Sequence, residues 1–166
     1  MSGRSALTLV LLVVAIIYAS VPAAAGGKAT KTEVSGFIAP PGGVVEPGES
    51  WWSGPIFHYR GQVVQWTITA TDDRLTGTLI DEFNTNRDTR TPGWDGPIWG
   101  KLWIEQDGVR VWEGTWNGEF LGGVQQGRAV LHGLGEYHGL KVKMTFVQTG
   151  PANLDFEGII LDPHGG

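Results

Sequence analysis

The stretch from Gly96 to Phe120 reads GPIWGKLWIEQDGVRVWEGTWNGEF, and it constrains the fold more than any other. Two alternating runs flank Asp107-Gly108. That dipeptide favours a tight type I′ turn, because both of its positions tolerate positive φ. The spacing predicts a β-hairpin with a two-residue loop. In that register Trp103 stands opposite Trp112 and Trp99 opposite Trp116, all on one face. The hairpin is the expected centre of an all-β sheet.

The rest of the chain has the same period. Val64, Trp66, Ile68 and Ala70 alternate with Gln65, Thr67, Thr69 and Thr71, a period of two rich in β-branched residues. Asp72-Asp73 predicts a turn, and Leu75 to Phe83 a strand with Leu75, Gly77, Leu79, Asp81 and Phe83 on one face. Thr32 to Ala39 predicts a first strand. Pro40 to Glu49 and the Trp51-Trp52 pair are expected in a Pro/Gly-rich loop, with Ile56 to Tyr59 a short edge strand. Asn84 to Asp95 is expected as a polar loop containing Trp94. Gly127 to Tyr137 and Leu140 to Gln148 predict a second hairpin, and Leu154 to Leu161 a last strand. The count is about eight strands, the number of a sandwich or a closed barrel. Glycines in mid-strand (Gly77, Gly100, Gly114, Gly118, Gly133, Gly135, Gly158) favour the barrel, because tight coiling needs such points.

No mature segment shows a helical period. The first residues differ: Arg4 precedes an apolar run from Ala6 to Tyr18, and Pro22 and Ala23-Ala24-Ala25 follow. This is the layout of a secretory signal peptide, residues 1–25, cut after Ala25. The run is short for a spanning helix, which needs roughly 20 apolar residues. The expected organisation is one domain, 26–166. Within it, 26–61 holds the first strand and the Trp-rich loop, and 62–166 the antiparallel barrel. The expected location is secreted or periplasmic.

Composition narrows the functional classes. There is no cysteine, which excludes a disulfide framework, a Cys-zinc site and a cysteine nucleophile. The net charge is −5, and losing Arg4 makes it more negative. An acidic chain without a basic cluster argues against nucleic acid and against stable membrane association after cleavage. Lys141 and Lys143 alone read as a solvated strand face. No phosphate loop, dinucleotide fingerprint or nucleophile elbow is present, and Ser35, Ser50 and Ser53 lie in none. The expected cofactors are none.

The candidate chemistry is sparse. His132, Glu136 and His138 share a strand face by parity, but one ion would need a further ligand from elsewhere. They read as outer-face polar residues, and no metal is expected. Asp81 is the best carboxylate, because Leu75, Leu79 and Phe83 share its parity and burial would raise its pKa. Glu113 is a second, weaker catalytic candidate on a face of mixed character. Eight tryptophans remain. Trp66, Trp99, Trp103, Trp112 and Trp116 fall in predicted strands and suit a core. Trp51, Trp52 and Trp94 fall in predicted loops, where aromatic faces serve ligands or plug a barrel end. With Asp81 and Asp95 they form the expected ligand-binding rim.

The segments Trp112-Glu-Gly-Thr-Trp-Asn-Gly118 and Gly133-Leu-Gly-Glu-Tyr-His-Gly-Leu140 carry a resemblance. They resemble those of uncharacterised exported bacterial β-barrel proteins, which in turn are similar to the allene oxide cyclase and dirigent-like barrels. The resemblance spans Gln62 to Asp162 and implies an eight-stranded antiparallel calycin-like barrel. No catalytic set of either family falls on matching residues here, and fold analogy alone transfers no function. Leu75-Thr-Gly-Thr78 is more weakly similar to the avidin family, without that family's early tryptophan-asparagine segment.

The expected function is therefore binding of a small apolar or aromatic molecule, or a structural exported role. A cofactor-free cyclase or isomerase and a carbohydrate-binding module are the alternatives. An open cavity with an inward carboxylate pair would favour the enzyme, a filled interior the structural role, and a flat aromatic row the sugar.

Overall fold

The computed structural model describes residues 28–40 and 42–165, so the expected signal peptide lies outside the described residues. The elements are β1 (Thr30–Ala39), β2 (Val44–Glu46), β3 (Glu49–Ser53), β4 (Ile56–Ala70), β5 (Gly77–Asp88), β6 (Gly96–Gln106), β7 (Val109–Leu121), β8 (Val124–Gly133), β9 (Lys141–Gln148) and β10 (Leu154–Asp162). Two short 3-10 turns, Asp73–Leu75 and Gly135–Tyr137, join strands. Among the described residues no helix is long and apolar enough to cross a membrane.

Eight strands form a ring in the order β1-β10-β9-β8-β7-β6-β5-β4, and β1 closes it by pairing β4 as well as β10. Every pairing is antiparallel. β4 outruns β1, whose pairing with it reaches only Thr67. The free edge of β4 is taken by β2 at Val63–Val64 and by β3 at Ile56–Arg60. Thus β3, the start of β4 and the end of β5 form a flap beyond the ring. One end of the ring carries this flap. The other carries the 107–108 turn and both 3-10 turns.

Alternation decides which side chains fill the ring. Val34, Ile38, Ile68, Leu79, Ile98, Leu102, Ile104, Leu131, Val142, Phe156 and Ile160 point in and are buried. Their strand neighbours Ser35, Thr67, Lys101, His132, Lys143 and Glu157 point out and are exposed.

The central hairpin has the expected turn. Gln106 pairs Val109, and Asp107 and Gly108 have φ 51° and 76°. The tryptophan register differs from expectation. Glu105 pairs Arg110, but Ile104 pairs Trp112, so Val111 is an extra residue and forms a β-bulge. The bulge buries two consecutive side chains, Val111 and Trp112. Beyond it every residue of β7 is displaced by one, which exchanges the faces. Trp112 and Trp116 point inward, with Ile104 and Gly100 opposite, while Trp99 and Trp103 lie on the outer face opposite Asn117 and Glu113.

Three further expectations change. Trp51 and Trp52 lie in β3, because β4 is long enough to offer that hairpin a partner. The loop expected over 84–95 shrinks to 89–95, since β5 keeps alternating to Asp88. His132, Glu136 and His138 do not share a strand face. β8 ends at Gly133 and Glu136 sits in a 3-10 turn. Among the described residues no three groups could hold a metal ion.

Candidate functional site: an apolar cavity with one carboxyl group

The interior is not filled throughout. A cavity of about 220 Å³ lies inside the ring toward the flap end. Its apolar wall includes Trp66, Phe83, Leu102, Trp116, Met144 and Phe146, and its polar groups are Gln62, Gln125 and Asp81. Small residues keep it open. Ala129 adds little bulk to the wall, and Gly100 leaves room for the Trp116 indole. A Cβ at Gly100 would stand 2.8 Å from the indole nitrogen and collide with the Glu82 carbonyl oxygen.

Asp81 is positioned by β5, whose inward face runs Leu79, Asp81, Phe83, Thr85, Arg87. Trp116 Nε1 donates to Asp81 Oδ1 at 2.6 Å. The other carboxyl oxygen has no protein partner among the described residues, and the surface Asp81 retains faces the cavity. Burial pushes its pKa from 3.8 up to about 7, against the Trp116 hydrogen bond, which lowers it, and with the neighbouring Glu82 charge adding to the rise. A carboxyl in this state can donate a proton or accept a hydrogen bond near neutral pH.

A chain of aromatic contacts joins the cavity to the flap. Trp116 stacks on Phe83 at 6.0 Å, Phe83 meets Tyr59 at 6.3 Å, Tyr59 meets Phe57 at 6.1 Å, and Phe57 meets Trp52 at 5.0 Å and Trp94 at 6.0 Å. Trp52 and Trp94 touch edge to face at 5.9 Å, and both are exposed. Trp94 has φ 51°, the left-handed region that a bulky residue rarely enters. Arg87 holds it there, donating from Nε to the Trp94 carbonyl at 2.7 Å and from Nη2 to the Gly93 carbonyl at 2.8 Å.

No family model and no curated protein matches this chain. Geometry therefore carries the functional reading.

The structure brings some of the expected site residues together and separates others. Trp52 and Trp94 meet at the flap end, and Asp81 lies deeper in the same half of the ring. Trp51 is on the opposite face of β3, stacked on His58 at 5.0 Å and under the Arg60 guanidinium at 5.4 Å. Asp95 ties loop 89–95 to the turn at 122–123, its Oδ1 accepting from the Gly122 N–H at 2.7 Å. Glu113 is on the outer face, half-exposed, with Arg110 at 3.6 Å. Sequence reasoning missed Phe57, Tyr59, Phe120 and Arg87. For Thr85 and Arg87 a signal was present, because the alternation of Asp81 and Phe83 continues through both.

Proposed function

We propose that this chain is an exported, calycin-like barrel that binds a small apolar or aromatic molecule inside its ring. The carrying observation is the apolar cavity with a single carboxyl group in its wall. Its volume of about 220 Å³ falls below the roughly 300–1,000 Å³ of drug-sized sites, so the ligand is small. The wall supplies contact area, and Asp81 supplies one directional hydrogen bond. Trp52, Phe57, Tyr59 and Trp94 line the way in.

Two observations bear on the alternatives. The near-neutral titration of Asp81 supports an isomerase or cyclase, in which a single proton donor acts on a ligand held by shape. The inward carboxylate is single, however, and a pair would carry that reading further. Trp52 and Trp94 stand at 77° to each other rather than in a flat row, which is a poor platform for a sugar ring.

Titration with N-phenyl-1-naphthylamine tests the binding reading. Saturable probe fluorescence, with energy transfer from tryptophan, is the expected result. Ala129→Leu, which puts bulk into the cavity, should abolish it while the circular dichroism of the ring persists. Absence of saturable binding by the folded wild-type protein would reject the reading.

A further inference from the structure

We propose that the ligand of this cavity is a small apolar or aromatic carboxylate, its acid group at Arg87 and its apolar body behind Phe120. The inference rests on the ligand-binding reading above and names the class of ligand. Arg87 lies on the inward face of β5, half-buried at the flap end. Its guanidinium centre is 3.7 Å from the Phe120 ring centroid and 5.9 Å from that of Trp94. Phe120 is part of the cavity wall, so Arg87 stands directly behind that wall.

The cation has no acid partner. Ion pairs among the described residues join Arg74 to Asp72, Arg90 to Asp88, Lys101 to Glu82 and Arg110 to Glu113. Arg87 is in none of them. The nearby Asp95 has Oδ1 engaged by the Gly122 N–H. Two nitrogens of Arg87 bond carbonyls, and Nη1 has no bond among the described residues. Desolvation lowers the pKa of this arginine, and the more distant Asp95 charge offsets only part of that cost. A carboxylate would offset that cost through a charge-assisted hydrogen bond to a planar donor.

Arg60 is the informative contrast. It too has no acid within ion-pair distance, but Nη1 donates to the Tyr59 and Thr85 carbonyls and Nη2 to Asn86 Oδ1. Its flat face lies between Trp51 and Trp99. Arg60 thus has both terminal nitrogens bonded, where Arg87 has Nη1 left over, and it lies outside the cavity wall. The chain as a whole is acidic, at −5, so its overall field does not attract anions and recognition must be local. Arg87 is six residues from Asp81, roughly 20 Å along an extended strand. A very short acid would not reach from the cavity past Phe120, and a flexible linker is needed.

The test compares 5-phenylvalerate with its uncharged amide by isothermal titration calorimetry at low salt. Wild-type protein should bind the acid roughly tenfold or more tightly than the amide, the gain of one charge-assisted contact. Arg87→Gln should weaken the acid far more than the amide, so that the preference between them disappears, and Arg87→Lys should restore part of the preference. Equal binding of acid and amide by the wild type would overturn this inference and leave the ligand-binding reading standing. Equal weakening of both probes by Arg87→Gln would also overturn it, because Arg87 would then only be holding the Trp94 loop. Binding of neither probe would reject the inference, and failure of the naphthylamine titration as well would reject the reading beneath it.

Discussion

Trp112 and Trp116 lie four residues apart on one face of β7, and each gives its indole N–H to an oxygen at 2.6–2.7 Å. What differs is the oxygen and the space around it. Trp112 donates to the Arg74 carbonyl at the turn end, is fully buried, and stacks on Tyr137 at 5.3 Å. The Tyr137 hydroxyl in turn donates to Gln106 Oε1, and Gln106 Nε2 bonds the Asp73 and Thr76 carbonyls. That end of the ring is plugged by Trp112, Tyr137 and Gln106, whose side-chain polar atoms are all bonded. Trp116 donates to an ionisable group beside a cavity. The same residue on the same strand thus closes one end and lines a site at the other. The neighbours decide its role: packed turns at one end, a glycine, an alanine and a carboxyl at the other.

The largest effect is expected at the plug. Trp112→Ala removes a fully buried indole and should lower the unfolding free energy by about 3–5 kcal/mol in urea. A loss below about 1 kcal/mol would mean that this end is as loosely packed as the other, and the contrast between the ends would fail.

The second effect belongs to the cavity end and has a sign. Asp81 holds its proton more tightly folded, with a pKa of about 7, than unfolded, near 3.8. Its contribution is whole at low pH and is lost as pH rises from about 4 through 7. Asp81→Asn, which stays neutral, should match the wild type near pH 4 and exceed it by roughly 2–4 kcal/mol above pH 8. Two parallel stability curves would show that Asp81 is as solvated as a surface acid.

Smaller effects sharpen the picture. Gly108→Val places a β-branched residue at φ 76° and should cost about 1–3 kcal/mol in thermal or urea unfolding. No change would mean that the turn is free to adopt another form. Trp52→Ala and Trp94→Ala should each weaken naphthylamine binding several-fold while changing stability by less than about 1 kcal/mol, because both side chains are exposed. Loss of folding would instead make these residues part of the structural core.

Period-two alternation marks most of the ring in the sequence itself, because strand identity depends on parity and turn chemistry, both of which are local. The Asp107-Gly108 turn was legible for that reason. The bulge at Val111 was not. Nothing in Val-Arg-Val-Trp marks which residue is extra, and that single residue put Trp99 and Trp116 on opposite faces. The same limit hid the flap. Trp51-Trp52 sits among glycines and prolines that signal a loop, and only the excess length of β4 gives it a strand partner. Asp81 was legible from its apolar companions. Its bond to Trp116 was not, because pairing across the ring interior leaves no trace in local spacing.

The most direct test of the account is the pH titration of the Asp81 carboxyl carbon by nuclear magnetic resonance, on protein labelled at aspartate. The expected result is one aspartate with a midpoint near 7, absent in Asp81→Asn and displaced when N-phenyl-1-naphthylamine occupies the cavity. An Asp81 midpoint in the ordinary carboxylate range, unmoved by the probe, would contradict the claim that this end of the ring is a ligand cavity organised around a buried acid.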